Sequence, residues 1–167
     1  NGDSTFQNVA GDWGLNEPSY SNGAAYADLD NDGDLDMVIN NLESEAFLYE
    51  NLTIEKDKDH KGNYLQFVLK GDSANPFGIG TKVLVYDSGK IQLQECMPTR
   101  GFQSSVDYTL TFGLNSSEEV DSVVIVWPNG QSQTLAEVKS NQRIVANQNK
   151  AQNKFDYSRF HRSQQMF

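Results

Sequence analysis

Residues 82–95 read KVLVYDSGKIQLQE, and this stretch decides the fold class of the chain. Apolar and polar side chains alternate in the runs 82–86 and 90–95, and the triplet Asp87-Ser88-Gly89 separates the two runs. Alternation on both sides of a short glycine-containing turn predicts two antiparallel strands joined as a hairpin.

Short strand-like runs continue on both sides of this hairpin. Further runs rich in β-branched and aromatic residues predict strands at 63–70, 106–112, 122–127, 131–135 and 143–146. Trp127-Pro128-Asn129-Gly130 is typical of a second hairpin turn, because proline fixes φ and Asn-Gly accepts positive φ. Seven short strands predict an all-β domain, a β-sandwich or barrel, and the only helix-compatible windows, 116–121 and 135–139, are short.

The first part of the chain has a different organisation. Short apolar runs at 23–28, 37–40 and 46–50 are separated by Asn-, Asp- and Gly-rich segments, which predicts a small hairpin or propeller-blade-like sheet. We therefore expect this segment at 1–54, a mixed-charge linker at 55–62 and a β domain at 63–149. Residues 150–167 are expected to be a linker or the start of a further domain, since the chain looks like a piece of a larger protein.

Charge is distributed unevenly between the two parts. Residues 1–60 hold 14 Asp and Glu but two Lys, a net charge of −12 within a chain of net charge −10. Nucleic acids and anionic membranes need Lys and Arg, so they are excluded as partners of the acidic part, whereas a divalent cation suits it. No apolar run approaches the roughly 20 residues needed to span a bilayer. A single cysteine, Cys96, allows no intramolecular disulfide.

Residues 28–36 read DLDNDGDLD and concentrate five carboxylates on alternate positions. Two such acids about 5 Å apart repel by roughly 1 kcal/mol in water and roughly 3 kcal/mol at a surface-like dielectric. This cluster of carboxylates therefore needs a positive counter-charge. Ca²⁺ takes six to eight oxygen ligands, and alternate carboxylates around a sharp glycine turn supply them. We expect Asp28, Asp30, Asp32 and Asp36 to bind Ca²⁺ by side chain and Asp34 by its carbonyl, with Gly33 as the turn. The acid at position 12 of an EF-hand loop is missing, since residue 39 is Ile, and the flanks are strand-like.

The first part resembles an FG-GAP (VCBS-type) repeat, the unit of integrin-like β-propellers. The residues that carry the resemblance are 23–28 (GAAYAD), followed by 30–41 (DNDGDLDMVINN), with 1–6 (NGDSTF) similar to the end of a preceding repeat. In that family a strand–calcium loop–strand hairpin recurs once per blade. Since this chain has one such loop, the resemblance implies either missing neighbouring blades or a repeat used as a strut.

The second part resembles the ASPIC/UnbV domain, which in known architectures follows such repeats. The carrying stretches are 75–83 (NPFGIGTKV), 100–105 (RGFQSS), 110–114 (LTFGL) and 123–130 (VVIVWPNG). Thr111 departs from the family, in which His commonly precedes Phe-Gly-Leu. The resemblance implies a secreted or surface-associated protein and leaves the biochemical activity open.

Other candidate chemistry is weaker. Residues 78–82 (GIGTK) lack Walker spacing, so a bend before a strand is the better interpretation than nucleotide binding. Cys96 with His60 or His161 would make a nucleophile–base pair, but a partly buried thiol is favoured. Carboxylates for glycoside hydrolysis would come from Asp107, Glu95, Glu118 and Glu119, with no fixed separation.

Arg100, Tyr108 and Trp127 are candidate ligand contacts in the second part. Arg100 lies beside Gly101 and Phe102 in a predicted loop, and the two aromatic rings are possible sugar-stacking platforms. The alternative for each is structural: Arg100 holding loop carbonyls, and Trp127 packing at the end of an apolar strand.

These observations predict a noncatalytic, Ca²⁺-stabilised extracellular β module that binds a protein or a glycan, within a larger secreted or surface protein. A polysaccharide-acting enzyme and a purely structural spacer are the alternatives. No nucleic acid partner and no membrane insertion of this segment are expected.

Overall fold

The protein is all-β, and the computed structural model describes residues 5–56 and 62–160. Within these ranges the chain forms three sheets, one short α-helix and two 3-10 helices, Gln148–Lys150 and Tyr157–Phe160. The elements are β1 Ser21–Ala27, β2 Asp36–Asn41, β3 Phe47–Tyr49, α1 Thr53–Lys56, β4 Asn63–Lys70, β5 Lys82–Asp87, β6 Lys90–Glu95, β7 Leu110–Asn115, β8 Glu119–Val126, β9 Gln131–Lys139, β10 Gln142–Asn147 and β11 Asn153–Lys154.

Two of the sheets form a sandwich. One has the strand order β10-β4-β7, and the other has the order β11-β9-β8-β5-β6. The chain crosses between the sheets repeatedly, so that β4, β7 and β10 meet although long segments separate them in sequence. All pairs are antiparallel except β10 with β4, which run parallel from Gln142 opposite Leu65 to Asn147 opposite Lys70. The predicted sandwich is confirmed.

The sandwich core follows from the alternation along the strands. Leu65, Phe67 and Leu69 of β4 are at most 3 % exposed, and the Phe67 ring meets the Phe112 ring edge-on with centroids 5.7 Å apart. The other sheet contributes buried branched side chains at alternate positions: Val83, Val85, Val123 and Ile125. Branched and aromatic side chains fill this interior because successive strand residues point to opposite faces.

Both predicted hairpin turns are present. Ser88 and Gly89 join β5 to β6 with φ of 49° and 76°, as a two-residue turn with positive φ at both positions requires. At the other turn the Trp127 N–H donates to the Gln131 carbonyl over 2.8 Å, and Gly130 has a φ of 80°.

Two predicted bounds differ from the structure. The run 106–112 becomes a strand only from Leu110, because residues 96–109 form a loop that closes on itself through a Thr99–Ser105 bridge. The short windows 116–121 and 135–139, which are helix-compatible in sequence but were not predicted as helices, are not helical, since β8 begins at Glu119 and β9 covers 131–139. The sandwich also extends beyond 149: Ala151 is 7 % exposed, and Asn153 and Lys154 pair with β9.

The first part forms the third sheet, in the order β1-β2-β3. It is an antiparallel meander in which Tyr26 faces Met37 and Met37 faces Tyr49. The predicted linker 55–62 begins within α1, and residues 57–61 lie outside the described residues. Among the described residues, no helix has the length and apolar character that crossing a membrane requires.

Replacing Phe67 by alanine tests the assignment of the core. Phe67 is fully buried, so Phe67→Ala removes a ring from close packing and is expected to lower the free energy of unfolding by about 3–5 kcal/mol. Phe102 is 66 % exposed, and Phe102→Ala is expected to change stability by less than about 0.5 kcal/mol. Urea unfolding followed by tryptophan fluorescence measures both; equal effects would contradict this core.

Candidate metal centre

Three carboxylates converge in the loop between β1 and β2. Asp28, Asp30 and Asp32 each present an oxygen, and these oxygens all lie within 4.8 Å of one another. Two ligands of one Ca²⁺ ion, each 2.3–2.6 Å from it, are at most about 5 Å apart. The spacing of the three oxygens therefore fits a single shared ion of this size.

The loop turns the three side chains inward by its own hydrogen bonds. The Asp32 N–H donates to Asp30 Oδ1 over 3.3 Å, and the Asp34 N–H donates to Asp32 Oδ1 over 3.0 Å. Side chains that accept a bond from the backbone two residues on form such turns readily. Gly33 has a φ of 106°, a conformation that glycine adopts without a steric penalty. The predicted role of Gly33 as the turn residue agrees with this geometry.

Asp36 and Asp34 are placed differently from the three. Asp36 is 4 % exposed, and its two carboxylate oxygens accept the Leu29 N–H over 3.0 Å and the Asn51 N–H over 2.9 Å. It ties the start of the loop to the chain after β3 and does not join the converging group. The Asp34 carboxylate accepts the Ile54 N–H of α1 over 3.2 Å, so this side chain anchors the segment that leaves the sheet.

Several carboxylate oxygens in this loop are buried without a hydrogen-bond partner among the described residues. They are Asp28 Oδ1, Asp32 Oδ2 and Asp34 Oδ1. A buried polar atom normally has a partner, because leaving it without one forfeits its hydration. Two of the three oxygens belong to residues of the converging group, Asp28 and Asp32, and a cation there would supply the missing partner.

Electrostatics give the same indication. Burial raises the pKa of Asp32, and the neighbouring carboxylates of Asp30, Asp28 and Asp36 raise it further. Burial also raises the pKa of Asp34, to about 6, although the Ile54 N–H opposes the shift. Both effects disfavour the ionised forms, and a bound cation would reverse them.

The second part of the chain contacts this loop through two residues that sequence reasoning missed. Gln66 on β4 is 4 % exposed and donates from Nε2 to Asp28 Oδ2 over 2.7 Å. Tyr64, two residues earlier, lies against Gly33 so closely that a Cβ on Gly33 would overlap its ring. In the sequence, Gln66 is visible only as a polar residue within the predicted strand 63–70. This pattern does not predict its contact with Asp28.

The three candidate ligand contacts have different environments. Trp127 is 1 % exposed and belongs to the core, so the sugar-platform interpretation of Trp127 was wrong because its ring has no free face. Tyr108 is 36 % exposed, and one face of its ring stacks on Phe77 with centroids 4.5 Å apart. Arg100 is exposed in the loop 96–109, where its backbone N–H donates to the Ser104 carbonyl.

Arg100 lines a cleft of about 550 Å³ between the first sheet and the sandwich. Tyr26 and Leu35 line it from the first part, and the sandwich contributes apolar and charged residues, namely Leu93, Met97, Val106, Glu95 and Asp107. Glu95 pairs with Lys82 at 3.5 Å, and the Asp107 carboxylate accepts the Tyr108 N–H. Glu118 and Glu119 are not among the residues that line this cleft.

Cys96 is buried, as the favoured interpretation of the sequence had it. The side chain is 1 % exposed, and its thiol points to the Phe77 and Tyr108 carbonyls at 3.7 and 3.8 Å. Burial raises the pKa of this thiol, and Asp107 and Glu95 raise it further, so the neutral form is favoured. His60 and His161, its suggested partners, lie outside the described residues.

The sandwich is where a comparison with known families finds a match. Residues 71–153 match the family described as ASPIC and UnbV. The predicted ASPIC/UnbV domain is confirmed by this match, which covers the strands from β5 to β11. No curated protein matches the chain. The FG-GAP resemblance of the first part stays a prediction.

Replacing Gly33 by alanine tests whether the loop is built as described. Positive φ and overlap with Tyr64 both oppose a Cβ here, so Gly33→Ala is expected to destabilise the protein by about 1–3 kcal/mol. Thermal unfolding measures the loss. Gly113→Ala in the ASPIC/UnbV domain is the control, because a Cβ at Gly113 meets no atom within 4 Å. Equal melting temperatures for the two variants would contradict the strained turn.

Proposed function

We propose that this chain is a noncatalytic, calcium-stabilised binding module of a secreted or surface protein. The observation that carries the proposal is the convergence of Asp28, Asp30 and Asp32, of which Asp28 and Asp32 each have a buried oxygen without a hydrogen-bond partner among the described residues. A cation at this position neutralises the acidic loop and fixes the hairpin from which β1 and β2 extend. In this proposal the metal is structural and performs no reaction.

Calcium is the cation that suits these donors best. All the donors are oxygens of hard carboxylates, which favours Ca²⁺, Mg²⁺ or Mn²⁺ over zinc or copper. Ca²⁺ tolerates an irregular set of six to eight ligands, whereas Mg²⁺ demands near-ideal octahedral geometry and retains several waters. Extracellular modules function with calcium sites of dissociation constant about 10⁻⁴–10⁻³ M, which agrees with the proposed extracytoplasmic location.

The cleft beside Arg100 is the proposed ligand site, and a peptide segment of a partner protein is the ligand class it favours. Its lining combines apolar side chains such as Leu93 and Met97 with charges of both signs from Arg100 and Asp107. The two rings that the sequence suggested as sugar platforms give a glycan little support, because Trp127 is buried and one face of Tyr108 stacks on Phe77. Clefts between domains are also a frequent location of binding sites.

Calcium titration tests the metal proposal. Ca²⁺ at about 100 times its dissociation constant is expected to stabilise the fold by about 2.7 kcal/mol, and EDTA to remove the gain. Asp32→Asn keeps an oxygen for the Asp34 N–H but removes the charge, so it is expected to abolish the calcium-dependent rise in melting temperature.

The matched control for this titration is Asp72→Asn. Asp72 Oδ1 accepts the Ala74 N–H in a turn of the same kind, but it lies outside the acidic loop. This variant is expected to keep the full calcium response. Identical melting curves of the unmodified protein in Ca²⁺ and in EDTA would exclude a structural calcium site.

Binding to immobilised peptide and glycan arrays in millimolar Ca²⁺ tests the ligand proposal. We expect a subset of peptides to bind, and Arg100→Ala to reduce their signal at least tenfold. Lys139→Ala, which removes an exposed positive charge outside the cleft, is expected to leave the signal unchanged. Binding of glycans alone would overturn the peptide preference, and silence on both arrays would favour a spacer.

A further inference from the structure

We propose that Gln66 and Tyr64 of the sandwich are positioning residues for the cation site, so that the acidic loop binds its ion tightly only when docked on β4. The inference rests on the proposed calcium function. In this inference the metal centre depends on two parts of the chain, because Asp28 and its hydrogen-bond partner Gln66 are 38 residues apart in sequence.

The first step concerns Asp28. One of its oxygens, Oδ2, accepts the 2.7 Å bond from Gln66, and the other, Oδ1, is buried and has no hydrogen-bond partner within 5–56 and 62–160. Oδ1 belongs to the residue that converges with Asp30 and Asp32. A bond to one carboxylate oxygen fixes the plane and direction of the other, which is how hydrogen-bonded neighbours orient metal ligands.

The second step concerns the burial of Gln66 itself. At 4 % exposure its amide has lost most of its hydration, so its bond to Asp28 replaces a water interaction that is no longer possible. A neutral donor also suits this position, because it supports the carboxylate without adding a positive charge that would compete with the cation. Hydrogen bonds to a charged acceptor are stronger than neutral ones.

The third step concerns Tyr64, on the same face of β4. Its ring lies against Gly33, the turn residue between Asp32 and Asp34. The contact restricts the turn that presents Asp32, while Gln66 restricts Asp28 at the start of the loop. Two neighbouring side chains of one strand therefore hold two ligands of the converging three.

A thermodynamic consequence follows from this arrangement. If docking on β4 favours the metal-binding geometry, bound metal favours docking to the same extent, because the coupling of two equilibria is reciprocal. Calcium occupancy would then stiffen the junction between the first sheet and the ASPIC/UnbV domain. The cleft at this junction, which includes Tyr26 and Leu35, would keep its shape best when the ion is bound.

Isothermal titration with Ca²⁺ on the full chain tests the proposal. Gln66→Met keeps the length and packing of the side chain but removes the donor, and it is expected to raise the dissociation constant about tenfold or more. The control is Gln92→Met. Gln92 also donates a side-chain N–H to a carbonyl, that of Gly113 over 2.8 Å, but it lies on β6 of the other sheet. This variant is expected to bind within twofold of the unmodified protein, and melting in EDTA checks that both variants fold.

A second measurement needs no variant to fold in order to be informative. In ¹H–¹⁵N spectra of the unmodified protein, the side-chain amide of Gln66 is expected to shift on calcium addition and that of Gln92 to stay in place. Calcium binding with equal affinity in both variants, or an unshifted Gln66 amide in calcium-bound protein, would overturn the positioning role and leave the calcium site intact. Absence of any calcium binding to the unmodified protein would instead overturn the proposed function.

Discussion

The structure depends on β4, a strand whose two faces make different contacts. Its inward side chains, Leu65, Phe67 and Leu69, pack into the sandwich core, and its outward side chains Tyr64 and Gln66 meet the acidic loop. Hydrophobic burial fixes the strand, since fully burying one such apolar side chain contributes about 1.5–3 kcal/mol. Because successive residues of a strand point to opposite faces, the same packing that orders the core also aims Gln66 at Asp28.

The acidic loop concentrates charge that the rest of the first part does not offset. Its own turns direct three carboxylates to one point, Asp36 and Asp34 secure its ends to neighbouring backbone, and β4 covers one side. Covering the loop removes water, which raises the pKa of Asp32 and of Asp34. A cation bound among these carboxylates would oppose both pKa shifts, which is the physical basis of the proposed calcium dependence.

The cleft that we propose as the ligand site is lined in part by residues in and near the acidic loop. Tyr26 lies two residues before Asp28, Leu35 lies within the acidic loop, and both line the cleft with Arg100 of the ASPIC/UnbV domain. The walls of the cleft thus come from the two parts that the contact between Gln66 and Asp28 joins. In the proposed function, a ligand bound in this cleft would contact walls whose relative position depends on this junction and, through it, on the proposed calcium site.

Sequence alone determined the local features of this protein. Alternation along 63–70, 82–86 and 90–95, the turns at 87–89 and 127–130, and the all-β class each depend on residues close in sequence, and the structure agrees with them. The turn at Gly33, with Asp28, Asp30 and Asp32 around it, is likewise formed by residues close in sequence. No convincing helix was predicted in this part, and the short helix-compatible window 135–139 lies in β9, because pairing with a neighbouring strand overrules a few residues of moderate helix propensity.

Only the tertiary structure decided which distant residues meet. The parallel pairing of β10 with β4 and the return of 153–154 to β9 both join segments whose contact no local pattern encodes. The different hydrogen bonds of the aspartates, Asp36 with Asn51 and Asp28 with Gln66, also join segments that are far apart in sequence. Local chemistry specified the acidic loop, but the burial and partners of its carboxylates came from long-range packing, because a side chain's hydration depends on whatever the fold places beside it.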